Sequence, residues 1–215
     1  MNRNVVIIRT GSANIASVVA AFTRLGFSST VTSIAKPVRE SELVILPGVG
    51  AFGPAMKALR ENGLDEALKW RLQADRPLLA ICLGLQLLFD SSEESPGVTG
   101  LSIVPGTVTR FVPPLRTPQM GWNQVIPPDS QVVGSSEPGS LLRPSWMYFA
   151  NSYCIRTPPP GWDCATTEYG GTFVSAMQKG RTLACQFHPE LSGSAGLSLI
   201  QRWLALADVK EPAPC

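Results

Sequence analysis

Residues 77–88 read Pro77-Leu78-Leu79-Ala80-Ile81-Cys82-Leu83-Gly84-Leu85-Gln86-Leu87-Leu88 and place a cysteine directly after a short apolar run. The run is typical of a buried strand, and the Leu-rich pattern after Gly84 is typical of an amphipathic helix. A strand, a potential nucleophile and a helix in this order form a nucleophile elbow, whose sharp turn needs small neighbours such as Ala80 and Gly84. The helix N-terminus would favour the thiolate. The alternative is an inert cysteine that ends a core strand.

Short apolar runs and helical patterns alternate through the first half of the chain. This alternation predicts an α/β fold with a doubly wound, flavodoxin-like, mostly parallel central sheet, whose functional loops follow the carboxyl ends of the strands. The predicted strands are residues 4–8, 29–32, 42–46 and 78–81, and the predicted helices are residues 15–25 and 54–72, the second broken at Gly63.

The second half is richer in strands and proline. A polar loop is expected at residues 91–97, and the turns at Gly170-Gly171 and Lys179-Gly180 predict that the last three strands are adjacent and antiparallel. We expect a single domain over residues 1–207 and a mobile tail at residues 208–215. The strand-like runs are residues 107–112, 146–153, 164–168, 173–178 and 183–187, followed by a helix at 194–206.

Composition excludes several classes of partner. The chain has 215 residues, of which 44% are hydrophobic and 16% charged, and its net charge of +2 gives no basis for binding nucleic acid or an anionic membrane. The apolar run from Val5 to Ile8 is too short for a signal peptide or a membrane span. Five cysteines without a C-x-x-C pair argue against disulfides and zinc and favour a reducing cytoplasm.

A base for the cysteine is available at His188, the single histidine of the chain. It lies in the segment Phe187-His188-Pro189-Glu190. In an extended segment, side chains two residues apart point the same way, so Glu190 would lie beside His188 and hold one ring nitrogen. The other nitrogen would then face a thiol. Together these features favour a Cys-His-Glu triad over a structural histidine.

The segment Pro47-Gly48-Val49-Gly50-Ala51-Phe52-Gly53 has two interpretations. It contains the G-x-G-x-x-G pattern of dinucleotide-binding proteins, but the next predicted strand ends at Cys82 rather than at the acidic residue that would hold a ribose. The alternative is an oxyanion hole, because glycines leave backbone N–H groups exposed to a developing negative charge. We favour the oxyanion hole, with strands ending at Leu46 and Ile81 as neighbours.

These three motifs together resemble the class I (triad) glutamine amidotransferases. Within that family the resemblance is to the glutaminase subunit of imidazole glycerol phosphate synthase, and it runs from about Val5 to the final helix. The stretches that carry the narrower resemblance are Ser92-Glu93-Glu94, Met120-Gly121-Trp122-Asn123 and the region from Thr166 through Gly171 to Gly180.

The resemblance implies that Cys82 attacks the side-chain amide of L-glutamine and forms a γ-glutamyl thioester, with His188 as acid and base and Glu190 as its orienting partner. It implies oxyanion N–H groups at Val49, Gly50 and Leu83. It also implies glutamine-binding roles for Gln86, Glu94, Ser152 and Tyr153.

No cofactor is implied. The ammonia would pass to a separate (β/α)₈-barrel cyclase subunit in a heterodimer. There it would help to form imidazole glycerol phosphate for histidine synthesis and an aminoimidazole carboxamide ribonucleotide, which is a purine precursor. Several positions depart from the family pattern, among them Ala80 before the nucleophile, Gln119 and Asn151 in place of histidines, the turn Arg9-Thr10-Gly11, and Leu191 after the triad glutamate. Two alternatives remain: an amidotransferase that feeds a different synthase, and a non-catalytic flavodoxin-like binding module.

Overall fold

The computed structural model describes residues 4–11, 14–128 and 141–207. The tail predicted at 208–215, including Cys215, lies outside the described residues. The strands are β1 (Asn4–Ile8), β2 (Ser28–Thr32), β3 (Leu43–Gly48), β4 (Leu78–Cys82), β5 (Phe89–Ser92), β6 (Val104–Arg110), β7 (Gln119–Val125), β8 (Ser145–Asn151), β9 (Tyr153–Cys154), β10 (Asp163–Glu168), β11 (Thr172–Lys179) and β12 (Thr182–Cys185). The helices are α1 (Ile15–Arg24), α2 (Ala35–Glu40), α3 (Phe52–Glu61), α4 (Leu64–Gln73), α5 (Leu83–Gln86) and α6 (Gly193–Ala207).

A seven-stranded sheet with the order β10-β11-β12-β4-β3-β1-β2 forms the centre of the fold. The strands from β12 to β2 are parallel, and β10, β11 and β12 form the predicted antiparallel end. The predicted fold class is confirmed. The expected neighbours β3 and β4 are paired, with Leu46 opposite Ala80 and Gly48 opposite Cys82. The glycine loop after β3 and the nucleophile candidate after β4 therefore leave the sheet side by side.

The sheet is buried on both faces, as its continuous apolar runs predict. Alternate residues of each strand enter different apolar clusters, for example Ile45 on one face and Val44 on the other. Trp203 of α6 packs on the first face, and Leu59 of α3 packs on the second. These helices fix the sheet so that the carboxyl ends of its strands form a rigid platform.

A buried arginine braces the start of the two strands that carry the site. Arg71 of α4 is fully buried, and its guanidinium donates to the carbonyl oxygens of Glu42 at 3.0 Å and Pro77 at 2.7 Å. These residues immediately precede β3 and β4. The same guanidinium also donates to the carbonyls of Val38 and Ser41. Since guanidinium offers several donors in a fixed plane, it ties α4 and α2 to the beginnings of both strands.

The structure differs from the predictions where local pairing overrides the pattern. The helix after Cys82 spans only Leu83–Gln86, because the chain from Phe89 pairs with β6 as a short parallel strand. The polar loop expected at residues 91–97 therefore begins only after β5, a strand that the sequence did not predict. The sequence prediction also lacked α2 and the strand β7. None of the helices within the described ranges is long and apolar enough to cross a membrane.

Candidate active site

Cys82 lies at the sharp turn between β4 and α5. Its backbone has φ +54° and ψ −109°, a conformation that costs a non-glycine residue on the order of 1–3 kcal/mol and that persists only where the surroundings enforce it. Gly84 makes the turn possible, since a Cβ there would collide with the carbonyl oxygen of Leu46 on β3. The geometry is that of a nucleophile elbow, as the sequence predicts.

His188 lies beside Cys82 and is held by Glu190. The ring Nδ1 and the Glu190 Oε1 are 2.8 Å apart, and both side chains are buried. The contact arises differently from the prediction, because the chain is extended only as far as His188 and a 3₁₀ turn over Pro189–Leu191 brings Glu190 back to the ring. The prediction that residues two apart share a side of an extended segment was therefore wrong in its geometry. The carboxylate nevertheless fixes Nδ1 and leaves Nε2 for Cys82.

The electrostatics of His188 favour its protonated form. Burial lowers the pKa of His188, but hydrogen bonds to Cys82 and Glu190, together with the negative charges of these two groups, outweigh burial and raise the pKa to about 10. These contacts therefore favour the imidazolium form of His188 at neutral pH. Such a cation stabilises an adjacent thiolate and is ready to give a proton to a leaving group.

The glycine loop after β3 passes next to Cys82. Val49 and Gly50 line the same pocket as Cys82 and Leu83, and Gly50 has φ +104°, a conformation that favours glycine. Thr10 supports the loop from β1, since its hydroxyl donates to the carbonyl oxygen of Pro47 at 3.3 Å. The dinucleotide interpretation has no further support in this arrangement, whereas backbone N–H groups next to a cysteine suit an oxyanion.

The pocket has a volume of about 280 Å³. Apart from Glu190, which lies behind His188, all of the predicted site residues line it: Val49, Gly50, Cys82, Leu83, Gln86, Glu94, Ser152, Tyr153 and His188. Its lining also includes Pro118, Ala150 and Asn151. The structure therefore brings together residues from six separate stretches of the chain.

The carboxylate of Glu94 is fixed at the first turn of α3. Its Oε2 accepts the backbone N–H of Phe52 at 2.7 Å, and the neighbouring Ser95 hydroxyl accepts that of Gly53 at 2.9 Å. Because the first N–H groups of a helix have no partner within the helix, these contacts cap α3 and hold the loop against the pocket. Glu94 thus places a negative charge in a defined position on the pocket wall.

Two buried polar side chains lie at one end of the hairpin formed by β7 and β8. Gln119 and Asn151 face each other across β7 and β8, and both are buried. The Asn151 amide donates to the Tyr153 carbonyl at 3.0 Å, while the Oδ1 of Asn151 and the Oε1 of Gln119 have no hydrogen-bond partner. Asn151 therefore ties the end of β8 to Tyr153, and its own side-chain oxygen is buried.

Sequence reasoning missed Gln186. This side chain is fully buried, and its Nε2 lies 3.6 Å from the Cys82 sulfur. A signal was present, because Gln186 precedes His188 by two residues at the end of a strand. Within the described ranges, no group of three or more His, Cys, Asp or Glu side chains is arranged to hold a metal ion.

The comparison with known families agrees with this geometry. The family model described as glutamine amidotransferase class-I matches residues 6–205, which is most of the chain. The chain belongs to the class I glutamine amidotransferases. The family predicted from the three motifs is thus confirmed, and this amidotransferase has its Cys82, its His188 and its glycine loop within the matched range.

Several curated relatives are named as imidazole glycerol phosphate synthase or as its subunit HisH. The amidotransferase is 39% identical over 199 residues to the imidazole glycerol phosphate synthase subunit HisH of Symbiobacterium thermophilum, covering 93% of this chain and 92% of that protein. It is 40% identical over 203 residues to the subunit of the same name from Methanothermobacter thermautotrophicus, covering 94% and 98%. In the chloroplastic imidazole glycerol phosphate synthase hisHF of Arabidopsis thaliana, the 42% identical match covers 90% of this chain and 33% of that protein.

Solved structures share the fold at lower identity. A crystal structure of a glutamine amidotransferase superposes with a TM-score of 0.73 at 21% identity, covering 95% of this chain and 99% of that one. The glutaminase domain of Trypanosoma brucei CTPS with bound acivicin superposes with a TM-score of 0.58 at 15% identity, covering 98% and 96%. These likenesses support the fold.

The pKa of His188 predicts a pH-dependent stability. The folded-state pKa of about 10 lies above the unfolded value of 6.5, so His188 stabilises the fold fully below pH 6.5 and this contribution is lost as the pH rises toward 10. We expect Glu190→Gln to lower the free energy of unfolding most at pH 6.5, on the order of a few kcal/mol, and much less at pH 10. Urea unfolding of both proteins across this range measures the difference. A difference that stays constant with pH would contradict the assignment.

Proposed function

We propose that this amidotransferase is the glutaminase subunit of imidazole glycerol phosphate synthase. It hydrolyses L-glutamine to L-glutamate and ammonia and passes the ammonia to a cyclase subunit in histidine biosynthesis. The observation that carries the proposal is the placement of Cys82 on an elbow beside a His188 that Glu190 holds. The relatives of about 40% identity support the particular synthase.

The first chemical step in this proposal is attack by the Cys82 thiolate on the glutamine side-chain carbonyl. The carbonyl oxygen becomes an oxyanion, which the N–H groups of Val49, Gly50 and Leu83 would receive. The His188 imidazolium gives its Nε2 proton to the leaving nitrogen, the C–N bond breaks, and ammonia departs from a γ-glutamyl thioester.

The second step hydrolyses the thioester. Neutral His188 takes a proton from water, and the resulting hydroxide attacks the carbonyl carbon, so that the C–S bond breaks and glutamate leaves. Glu190 keeps the same ring nitrogen occupied throughout and stabilises the imidazolium whenever it forms. The enzyme returns to the ion pair from which it started.

Substrate specificity would come from the far side of the pocket. The Glu94 carboxylate is a suitable partner for the α-ammonium group of glutamine, and Gln86, Ser152 and Tyr153 supply polar groups along the remaining wall. Binding at both ends would place the side-chain amide over the Cys82 sulfur.

A cyclase partner would dock beside the pocket. Met120 and Trp122 of β7 and Trp146 of β8 are exposed on the outer face of this hairpin. Ala150, which is paired with Met120 on the same face, lines the pocket. Exposed aromatic and Met side chains are typical of interfaces. The backbone N–H of His188 donates to the backbone carbonyl of Tyr148 on β8 at 2.9 Å. A subunit that binds this face would therefore contact the strand to which the backbone of His188 is hydrogen-bonded.

We further propose that this partner is a separate (β/α)₈ barrel, that the two chains form a heterodimer, and that the reaction takes place in the cytoplasm. The described cysteines, which are Cys82, Cys154, Cys164 and Cys185, are all free thiols, as a reducing compartment would keep them.

The test is glutamate release by the purified chain, measured with and without the cyclase subunit of the same organism and its nucleotide ligand. We expect the rate to rise at least about tenfold on addition of both, since coupling of this size is common between linked sites. Equal activity with and without the partner would contradict the synthase assignment.

Trp122→Glu is the matched variant for this experiment, because it changes the outer face without touching the pocket. We expect it to lose cyclase binding and activation but to keep the activity of the isolated chain. Activation of Trp122→Glu at the same cyclase concentration as the unaltered chain would show that the partner does not bind this face.

A further inference from the structure

We infer that Gln186 is a second hydrogen-bond donor to the nucleophilic sulfur and favours the thiolate of Cys82. The inference deepens the proposed function, on which it rests, since it concerns how the same nucleophile is prepared. The Gln186 Nε2 lies 3.6 Å from the Cys82 Sγ, in a fully buried position. The sulfur therefore has a neutral donor in addition to the His188 imidazolium.

The register of the central sheet places Gln186 opposite the nucleophile. Cys185, the last residue of β12, pairs with Ile81 of β4, so the next residue along each chain is Gln186 and Cys82. The Gln186 N–H donates to the Ser175 carbonyl at 2.8 Å, which keeps the segment extended beyond the end of β12. The donor is thus positioned by backbone pairing.

Alternation along this extended segment directs Gln186 and His188 to the same side. Cys185 and Phe187, the residues on either side of Gln186, both enter one apolar cluster. Because successive side chains of an extended segment point in opposite directions, Gln186 and His188 share the side opposite to that of Cys185 and Phe187. Both reach Cys82, one with an amide and the other with an imidazole.

A second glutamine fixes the orientation of this amide. The Gln86 Nε2 donates to the Gln186 Oε1 at 2.9 Å and to the Tyr153 carbonyl at 3.3 Å. With its oxygen engaged by Gln86, the Gln186 side chain must present its NH₂ group to the sulfur. Gln86 lines the pocket, so the chain of contacts links the substrate wall to the nucleophile through Gln186.

The physical effect of such a donor depends on pH. A hydrogen bond to a charged acceptor is worth more than one to a neutral acceptor, so the donor favours the thiolate over the thiol. The stabilised thiolate is in turn a weaker nucleophile. At pH values where most of the sulfur is protonated, the donor therefore accelerates attack by increasing the fraction of thiolate. At pH values where all of the sulfur is thiolate, it slows attack slightly. A residue with a purely structural role would not show this change of sign.

The titratable groups around the sulfur are few among the described residues. His188 contacts Cys82, Glu190 lies behind His188, and Glu94 is on the pocket wall. Burial, with the charge of Glu190, raises the pKa of Cys185 well above its usual value, so this neighbour stays a thiol. Gln186 itself does not titrate, and its replacement removes both the donor to the sulfur and the acceptor that holds Gln86.

The test is the pH dependence of Cys82 alkylation by iodoacetamide in the unaltered chain and in Gln186→Met, which keeps the shape of the side chain and removes the donor. We expect the midpoint of the profile to move to higher pH and the rate below the midpoint to fall about tenfold or more. Above the midpoint the variant should be as fast as the unaltered chain or faster. An unchanged profile, or the same loss at every pH, would overturn the inference.

Steady-state kinetics give a second measurement. We expect the kcat for glutamate release by Gln186→Met to fall about ten- to hundredfold at pH values below the midpoint of the alkylation profile, because the donor acts on the sulfur. The KM should change less, through the lost contact to Gln86. Ser175→Ala is the control, since it removes a buried hydroxyl without a partner from the adjacent strand and should leave kcat unchanged. A rise in KM with kcat unchanged would overturn the inference.

The side-chain amide of Gln186 can also be observed directly in the unaltered chain. If Gln186→Met does not fold, the side-chain amide protons of Gln186 in the unaltered chain are followed by NMR against pH; they should shift with the midpoint of Cys82 alkylation, and absence of that shift would overturn the inference. Alkylation requires no glutamine. A chain that releases no glutamate but shows the expected profiles would disprove the proposed function and keep the hydrogen bond.

Discussion

Replacing Cys82 with alanine is expected to lower the rate of glutamate release by at least about ten-thousandfold, because the loss of a covalent nucleophile removes the whole pathway through the thioester. The fold should be retained, since the side chain is small and the turn is enforced by the close packing of Gly84 against Leu46. Glutamine should still bind, since Glu94 and the far wall of the pocket are unchanged. The loss of activity is measured as glutamate release with the cyclase subunit present. The retained binding of glutamine is measured by calorimetry.

The matched control is Cys164→Ala on β10, an edge strand of the central sheet. This cysteine is also buried and free, and burial, with the charge of Asp163, raises its pKa to about 11. Cys164→Ala should keep its activity within about twofold, because Cys164 does not line the pocket and the substitution removes only one heavy atom. Activity of Cys82→Ala within tenfold of the unaltered chain would show that another group attacks the substrate.

The second large effect is expected for His188→Ala. Without the imidazolium the leaving nitrogen has no proton donor and the hydrolytic water has no base, so glutamate release should fall about thousand- to ten-thousandfold. Since His188 is the single histidine of the chain, no other imidazole can replace it. The rate of glutamate release and the rate of Cys82 alkylation should fall together.

Chemical rescue separates this role from a structural one. The truncation leaves a cavity beside Cys82, and free imidazole at millimolar concentration should enter it and restore part of the activity. Glu190 should support the added base, because its carboxylate remains in place. If His188→Ala retains most of its activity, the assignment of the base is wrong.

The sheet and the elbow could be predicted because their causes are local. The apolar runs at β1, β3 and β4 indicate strands in a sheet that is covered on both faces. The small residues around Cys82 indicate a sharp turn. The two strands that the sequence did not predict depend on distant partners. Gln119–Val125 becomes a strand through pairing with β8, and Phe89–Ser92 through pairing with β6.

The site could be predicted by residue type but not in its detail. The single histidine followed by Pro189-Glu190 indicated a base only in combination with Cys82. The 3₁₀ turn that brings the carboxylate to the ring follows from the docking of this segment against β8. Gln186 was missed because its contact depends on the register between β12 and β4, a pairing of residues about one hundred positions apart. The available clue was that Gln186 and His188 are two residues apart, so that their side chains point the same way in an extended segment.

The most direct test of the central claim, that Cys82 attacks the glutamine amide with His188 as its base, is labelling by an electrophilic glutamine analogue followed by mass spectrometry of the peptide that contains Cys82. We predict stoichiometric labelling of Cys82 in the complex with the cyclase subunit, protection by L-glutamine, and loss of labelling in His188→Ala. Labelling of another cysteine, or labelling of Cys82 that neither glutamine nor His188→Ala affects, would contradict the account.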